Sequence, residues 1–313
     1  MKISILTMVL LVYLSSPVGL RLSVAQEPAI DLAEIVVVEE EEEAEILETF
    51  LSGEENIDRL LRTGECRHCD LRGLDLRNID LSETDLRGAD LSRTNLQKVD
   101  LHGANLRGAD LMNADLSGAD MRSTSLSGAQ LRGSLLVQAN LESAAFVRAD
   151  LSNVDLTHCN LRYARLSGAD MRGVDVPFAN FQGADLRNAN LQGVDFDLAD
   201  LRGADFSGAA LTEASFEGMN LGWVNLRGAD LRGAYLNEVE LRGADLRDAN
   251  LRGADLRGAR LSQHSLVGAD LQHARLEGIC YQSIKGNTAS LNCLPRVEKS
   301  EDEVEAVVYA EES

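Results

Sequence analysis

The chain has 313 residues, a formal net charge of −21 at pH 7 and a pI near 4.6. It carries 30 Lys and Arg against 51 Asp and Glu. This balance argues against a nucleic-acid-binding protein, because such a protein needs a basic stripe for phosphate contacts.

The first 25 residues have the pattern of a secretory signal peptide. Lys2 supplies the positive start, residues 3–14 form an apolar run, and Ser23-Val24-Ala25 has the small-x-small pattern of a cleavage site. A run of 12 apolar residues is too short to span a bilayer as a helix. We therefore predict cleavage near Ala25, an extracytoplasmic protein (periplasm, thylakoid lumen or secreted) and no membrane span after cleavage. An uncleaved anchor is the alternative.

The segment 26–51 is acidic and contains five consecutive glutamates at 39–43. Such a run is typical of a solvated, disordered chain.

A short helix is predicted within 52–65, over residues 53–63. Ser52 and Glu55 have the spacing of a capping box, and Gly64 is a natural helix stop. Ile57, Leu60 and Leu61 would form one apolar face. We expect this helix to cover the open N-terminal end of the repeat that follows, hiding its first apolar layer and its unpaired edge.

From Leu71 to Leu276 every fifth residue is apolar, over 42 consecutive positions without a slip. Thirty-four of these centre residues are Leu, and the residue two before each centre is usually Ala. A period of five fits neither a helix nor a strand. The chain must instead turn in the same way every five residues, with the centre and the residue two before it pointing inward.

This pattern, which reads LRGADLRDANLRGADLRGAR over 241–260, resembles the A(D/N)LXX motif of the pentapeptide repeat family. The resemblance implies an all-β solenoid over 66–281, a right-handed quadrilateral parallel β-helix of about 10 coils with four pentapeptides per coil. The inward Leu side chains would then form a packed column without room for a cofactor. Residues 282–293 are expected to form a C-terminal cap loop, and 294–313 an acidic disordered tail.

Four of the five cysteines fall into two pairs that could form disulfide bonds. Cys66 and Cys69 form a CxxC just before the first repeat, and Cys280 and Cys293 bracket the expected cap loop. An exported chain favours disulfides Cys66–Cys69 and Cys280–Cys293. Free thiols, or a redox or metal role for the CxxC, remain open. Cys159 falls at an inward position and is expected to be a buried free thiol.

Apolar residues at outward positions mark a possible interaction patch. With 20 residues per coil, one face of the rod carries Leu135, Val137, Pro177, Phe178, Leu198 and Tyr235. A contiguous exposed apolar patch indicates a binding site, whereas scattered surface apolar residues need no explanation. Tyr163 and Trp223 share a column on a neighbouring face.

The sequence shows no Ser-His-Asp set, phosphate loop or metal-ligand spacing, so we expect no catalysis, cofactor or metal. The leading hypothesis is a non-enzymatic exported scaffold that binds a protein partner, and it includes a possible homodimer. Two alternatives are a DNA-mimic regulator of a type II topoisomerase, which the family resemblance allows, and a thiol-redox protein acting through Cys66 and Cys69.

Overall fold

The structure is a computed structural model that describes residues 55–262, 265–285 and 288–293. The described residues belong to one compact unit, Thr49–Ser313. Several predicted segments lie outside the described residues: the signal peptide 1–25, the acidic segment 26–51, the start of the capping-helix segment at 52–54 and the tail 294–313.

The described chain begins in a helix, α1, that covers residues 55–63. Leu60 is buried and belongs to the same apolar core as Leu71. The sequence predicted Leu61 on the same apolar face as Leu60, but Leu61 is exposed, so this part of the prediction is wrong. The helix ends at Gly64, whose φ of 70° and hydrogen bond to the Leu60 carbonyl (2.8 Å) match a glycine C-terminal stop.

The repeat then winds into a four-sided solenoid. Each five-residue unit contains one tight turn and one parallel β-bridge, and the bridges join residues 20 apart, as Asp170 to Asn190 and Asn190 to Ala210. Backbone hydrogen bonds run between successive coils, for example from Leu186 N–H to the Asp205 carbonyl (2.8 Å). Four pentapeptides therefore make one turn of the solenoid.

Each turn places the second residue after the centre in the left-handed region. We call this position the turn residue. Gly183, with φ 68°, is a typical case. Only glycine adopts this conformation without a Cβ penalty, which explains why Gly is frequent there.

The interior is a solid apolar column. Almost every centre residue and the small residue two before it are fully buried, as predicted from the period. The mid-region contains the aromatic centres Phe181, Phe196, Phe206 and Phe216. Phe196 stacks on Phe216, with ring centroids 5.0 Å apart, and meets Phe206 edge to face at 5.8 Å.

The C-terminal end is a four-stranded sheet in the order β1-β2-β3-β4. The strands are β1 (Glu240–Leu241), β2 (Arg260–Ser262), β3 (Cys280–Lys285) and β4 (Thr288–Cys293). β1, β2 and β3 pair in parallel as successive coils, whereas β4 pairs antiparallel to β3.

The predicted cap loop at 282–293 is therefore a strand pair in the structure. Gly286-Asn287, a dipeptide that favours two-residue hairpin connections, was the missed sequence signal. The antiparallel partner β4 continues the backbone ladder that β3 receives from β2.

Candidate interaction face

One face of the solenoid differs from the rest in its outward residues. It comprises the bridge residue and the two turn positions of six successive coils, and we call it the acidic–apolar face. Its members are Leu135, Val137, Gln138, Asp155, Thr157, His158, Asp175, Pro177, Phe178, Asp195, Asp197, Leu198, Ser215, Glu217, Gly218, Tyr235, Asn237 and Glu238.

Phe178 and Leu198 are the apolar centre of this face. They occupy equivalent turn positions in adjacent coils and are 53% and 58% exposed. Both adopt left-handed φ values, 59° and 63°. The His158 ring stacks on Phe178 with centroids 4.7 Å apart.

The other predicted patch residues lie further along the same face. Leu135 and Tyr235 are exposed, whereas Val137 and Pro177 are half-buried. The coil carrying His158 separates Leu135 from Phe178, and the coil carrying Gly218 separates Leu198 from Tyr235. The structure thus places Pro177, Phe178 and Leu198 together and leaves the others as outlying points.

Elsewhere on the solenoid many carboxylates are neutralised within their own repeat. The acidic residue before a centre forms an ion pair with the arginine two residues later, as Asp185 does with Arg187 (2.7 Å). The Arg187 hydrogen bond lowers the pKa of Asp185 below its ordinary value of 3.8. Equivalent pairs form at Asp70–Arg72, Asp75–Arg77, Asp85–Arg87, Asp120–Arg122, Asp170–Arg172, Asp200–Arg202, Asp230–Arg232, Glu240–Arg242, Asp245–Arg247 and Asp255–Arg257.

The acidic–apolar face lacks this neutralisation. Thr157, Pro177 and Asp197 stand where arginine would follow Asp155, Asp175 and Asp195. Within the described part of the chain, these carboxylates form no ion pair, and neither do Asp197, Glu217 and Glu238. The sequence contains this signal, but an inspection for apolar residues alone misses it.

Pro177 leaves the Asp175 carboxylate especially free. In most repeats this carboxylate accepts a hydrogen bond from the backbone N–H two residues later, as Asp155 does from Thr157 (2.9 Å). Proline has no N–H, so Asp175 loses this local partner. Its side chain is exposed and available to an external donor.

The backbone ladder is interrupted directly beneath the apolar centre. Leu156 and His158 donate to the carbonyls of Asp175 (2.8 Å) and Pro177 (3.0 Å) in the next coil. One coil further, among residues that the structure describes, Val176 and Phe178 make no such bond to the segment carrying Asp195. The centres on this side change there from Leu156 to Val176 and then to Phe196.

The four disulfide-bonded cysteines lie away from this face, and Cys159 is buried beneath it. Cys66 is joined to Cys69, and Cys280 to Cys293, with Cα–Cα distances of 5.3 and 4.0 Å. The first pair is buried beneath α1, where the Arg59 guanidinium contacts both sulfurs. Cys159 is a buried free thiol that donates to the Leu136 carbonyl (2.8 Å), and burial raises its pKa to about 12.

Tyr163 and Trp223 form a second group of exposed side chains, on a neighbouring face. Trp223 is 81% exposed and lies over Gly243, and Tyr163 lies over Gly183. The bare Gly203 separates them. Here the nearby acids are paired, Asp200 with Arg202 (2.6 Å) and Glu240 with Arg242 (2.7 Å), so this group is charge-balanced.

Within residues 55–262, 265–285 and 288–293 no cluster of His, Cys, Asp and Glu has the geometry to hold a metal ion. In the same ranges, no helix has the length and apolarity needed to cross a membrane.

Comparison with known proteins identifies the repeat. A family model described as pentapeptide repeats matches eight copies, over residues 65–103, 100–136, 134–173, 179–218, 225–263 and 244–280. No curated protein matches the chain.

Similar solved structures are also found. HetL, a pentapeptide repeat protein involved in heterocyst differentiation regulation from the cyanobacterium Nostoc sp. strain PCC 7120, is 32% identical, with 71% of this chain and 94% of that chain covered and a TM-score of 0.23. A pentapeptide repeat protein from the Arabidopsis thaliana thylakoid lumen is 31% identical, with 37% and 71% covered and a TM-score of 0.18. QnrB1, a plasmid-mediated fluoroquinolone resistance protein, is 23% identical, with 64% and 89% covered and a TM-score of 0.21.

Proposed function

Because the chain belongs to the pentapeptide repeat family, whose members form right-handed β-helical solenoids, we propose that it is a non-enzymatic, exported scaffold that binds a protein partner. Proteins of this family are generally structural or interaction modules. The proposed binding face is the acidic–apolar face, with Phe178, Leu198 and Tyr235 as its apolar contacts.

The observation that carries this proposal is the pair Phe178 and Leu198. Large side chains stand at two adjacent turn positions where the repeat favours glycine, and both are more than half exposed. A bulky residue at positive φ carries backbone strain of about 1–2 kcal/mol. Apolar surface that stays exposed contributes no hydrophobic stabilisation. Backbone strain and exposed apolar area therefore both disfavour these residues in the isolated rod. Burial of the two side chains in an interface would favour them.

Export and capping complete the proposal. The N-terminal pattern at 1–25 and the two cystines fit an oxidising extracytoplasmic compartment. We assign to α1 the role of covering the first of about ten coils, because Leu60 is buried against the end of the core and Asn56 Nδ2 donates to the Asp70 carbonyl (3.1 Å).

The two alternative functions receive less support. A DNA mimic needs an extended acidic surface, but many carboxylates of the solenoid pair with arginine, as Asp120 does with Arg122, Asp170 with Arg172 and Asp185 with Arg187. A thiol-redox protein needs an accessible sulfur, but Cys66 and Cys69 are buried beneath α1.

The test is affinity capture with the tagged full-length chain in its native cells, followed by mass spectrometry. The variant is Phe178→Gly with Leu198→Gly, which restores the residue that the turn favours and removes the apolar centre. Its matched control is Tyr163→Gly with Trp223→Gly, which removes two exposed aromatic turn residues from the other face.

We expect the parent and the control to capture the same partners and the Phe178/Leu198 variant to lose them. An unchanged partner set for the variant would remove this face as the binding site. Loss only in the control would transfer the site to the Tyr163–Trp223 side.

A further inference from the structure

We propose that the partner of the acidic–apolar face is a cationic amphipathic protein segment, in which Lys or Arg side chains flank apolar ones. This inference rests on the proposed function and specifies the chemistry of the partner at the same site.

The face carries carboxylates but no lysine or arginine over many successive coils. Between Lys98 and Arg257, its bridge and turn positions contain no Lys or Arg at all. The same positions carry eight carboxylates, of which, within the described residues, Asp255 alone pairs with arginine: Asp115, Asp155, Asp175, Asp195, Asp197, Glu217, Glu238 and Asp255. Every other side of the solenoid interleaves arginine with its acids, so the absence here is a local property of this face.

The carboxylates surround the apolar centre. Asp175 precedes Pro177 and Phe178 in one coil, and Asp195 and Asp197 precede Leu198 in the next. At about 4.8 Å per coil, these groups lie within one or two coils of each other. A partner that covers Phe178 and Leu198 must therefore come close to at least three unpaired carboxylates.

Burial of these carboxylates without counter-charges would cost several kcal/mol, so the partner must supply positive charge. A basic side chain with a long aliphatic stem meets both demands, because its stem can cover apolar surface while its head reaches the carboxylate. Electrostatic complementarity of this kind also raises the rate of encounter.

The same charges exclude other occupants. Nucleic acid and anionic lipid would be repelled by the carboxylates. A second copy of this chain docked through the same face would bring two acidic rows together, which disfavours a homodimer at this site.

The dimensions suit a single segment. Leu135 and Tyr235 are five coils apart along one column, which is about 24 Å at 4.8 Å per coil. A helix of about 16 residues at 1.5 Å per residue or a shorter extended peptide covers this length.

The test uses a fluorescein-labelled 16-residue Lys/Leu amphipathic peptide as the probe and fluorescence anisotropy with the full chain. The charge variant is Asp175→Asn, Asp195→Asn and Asp197→Asn. The matched control is Asp80→Asn, Asp110→Asn and Asp150→Asn, which removes three carboxylates that form no ion pair and lie on other faces. Asparagine is native at the bridge position, as at Asn105 and Asn160, and at the position of Asp197, as at Asn237, so both triple variants should fold.

We expect salt-sensitive binding of the probe that the charge variant weakens by about tenfold, at roughly 0.5 kcal/mol for each lost surface charge, and that the control leaves unchanged. A second probe with Glu in place of Lys should not bind. Equal binding by the charge variant and the control, or no binding of the Lys/Leu probe, would overturn the cationic assignment. If the charge variant still captures the native partners while Phe178→Gly with Leu198→Gly loses them, the proposed function stands and this inference alone fails.

Discussion

The imidazole of His158 stacks flat on the ring of Phe178, with centroids 4.7 Å apart and planes 8° apart. Both residues are turn residues with φ near 59°, in adjacent coils. A side chain at this position leans over the equivalent position of the next coil, as Tyr163 does over Gly183. The stack therefore fixes the orientation of Phe178 on the outer surface of the rod.

The stacking energy offsets only part of the backbone strain at these turn residues. An aromatic pair contributes about 0.5–1.5 kcal/mol beyond burial, whereas each of His158, Phe178 and Leu198 carries about 1–2 kcal/mol of backbone strain. Strain and stacking together therefore give Phe178 and Leu198 no net stabilising role in the isolated rod, which supports the binding role that we propose.

Phe178→Gly with Leu198→Gly should make the protein more stable while it removes the apolar surface. Relief of two strained turns outweighs the loss of the His158 stack, so we expect a net gain of about 1 kcal/mol. For a domain of this size the gain corresponds to a rise in Tm of about 2–4 °C. Thermal unfolding followed by circular dichroism measures it.

The reciprocal control is Gly218→Leu, in the same column and two coils beyond Phe178. Gly218 has φ 66° and open space where a Cβ would stand, so strain is the main effect. We expect a lower Tm. A fall in Tm for the glycine double variant would show that Phe178 and Leu198 hold the solenoid together.

The solenoid was largely predictable, because one residue type recurs every five positions and the same local turn satisfies every repeat. The buried centres and the stacking at 20 residues follow from that regularity once the family resemblance is added. The antiparallel β3–β4 pair was missed because the repeat frame ends after Leu276. No periodic pattern remains there to read.

The proposed binding face was predictable only in part. Phe178 and Leu198 stand out in the sequence as apolar residues at outward positions. The missing ion pairs of Asp175 and Asp195 become evident only when the residue two positions later is compared with the arginine that many other repeats have there. The ladder interruption at Val176 could not be read from sequence, since hydrogen bonds between coils depend on the distance between stacked backbone segments.

Cys159 should not react with iodoacetamide in the native protein at pH 8. Burial raises the pKa of its thiol to about 12, and the thiol donates to the Leu136 carbonyl, so almost no accessible thiolate exists. Intact-mass analysis should show no adduct before denaturation and one after it. A Ser123→Cys variant, with an exposed side chain, supplies the positive control. Labelling of native Cys159 would show that the coil opens.

Asp255→Asn should destabilise the protein at neutral pH by about 1 kcal/mol. The Asp255 side chain is 12% exposed and pairs with Arg257 (2.6 Å) and Arg275 (3.3 Å). The Arg257 hydrogen bond lowers the pKa of Asp255 below 3.8 in the folded protein. Its contribution is therefore present above about pH 3.8 and lost as pH falls through the depressed folded value.

The measurement for Asp255→Asn is the Tm difference from the parent at pH 7 and at pH 2. We expect a gap at pH 7 that narrows at pH 2. Asp75→Asn is the control, because Asp75 pairs with Arg77 in an exposed position and should show a smaller gap. A gap that persists at pH 2 would point to packing instead of charge.

The backbone amides of Val176 and Phe178 should exchange with deuterium faster than those of Leu156 and His158, one coil earlier. The earlier pair donates to Asp175 and Pro177, whereas the later pair donates to no carbonyl of the next coil within the described residues. An amide without an acceptor exchanges without waiting for the ladder to open. Because each comparison is between equivalent repeat positions, local turn geometry is matched, and NMR-detected exchange resolves the four amides. Equal protection would mean that the ladder is continuous in solution. Faster exchange that slows when the native partner binds would place the interruption under the contact surface.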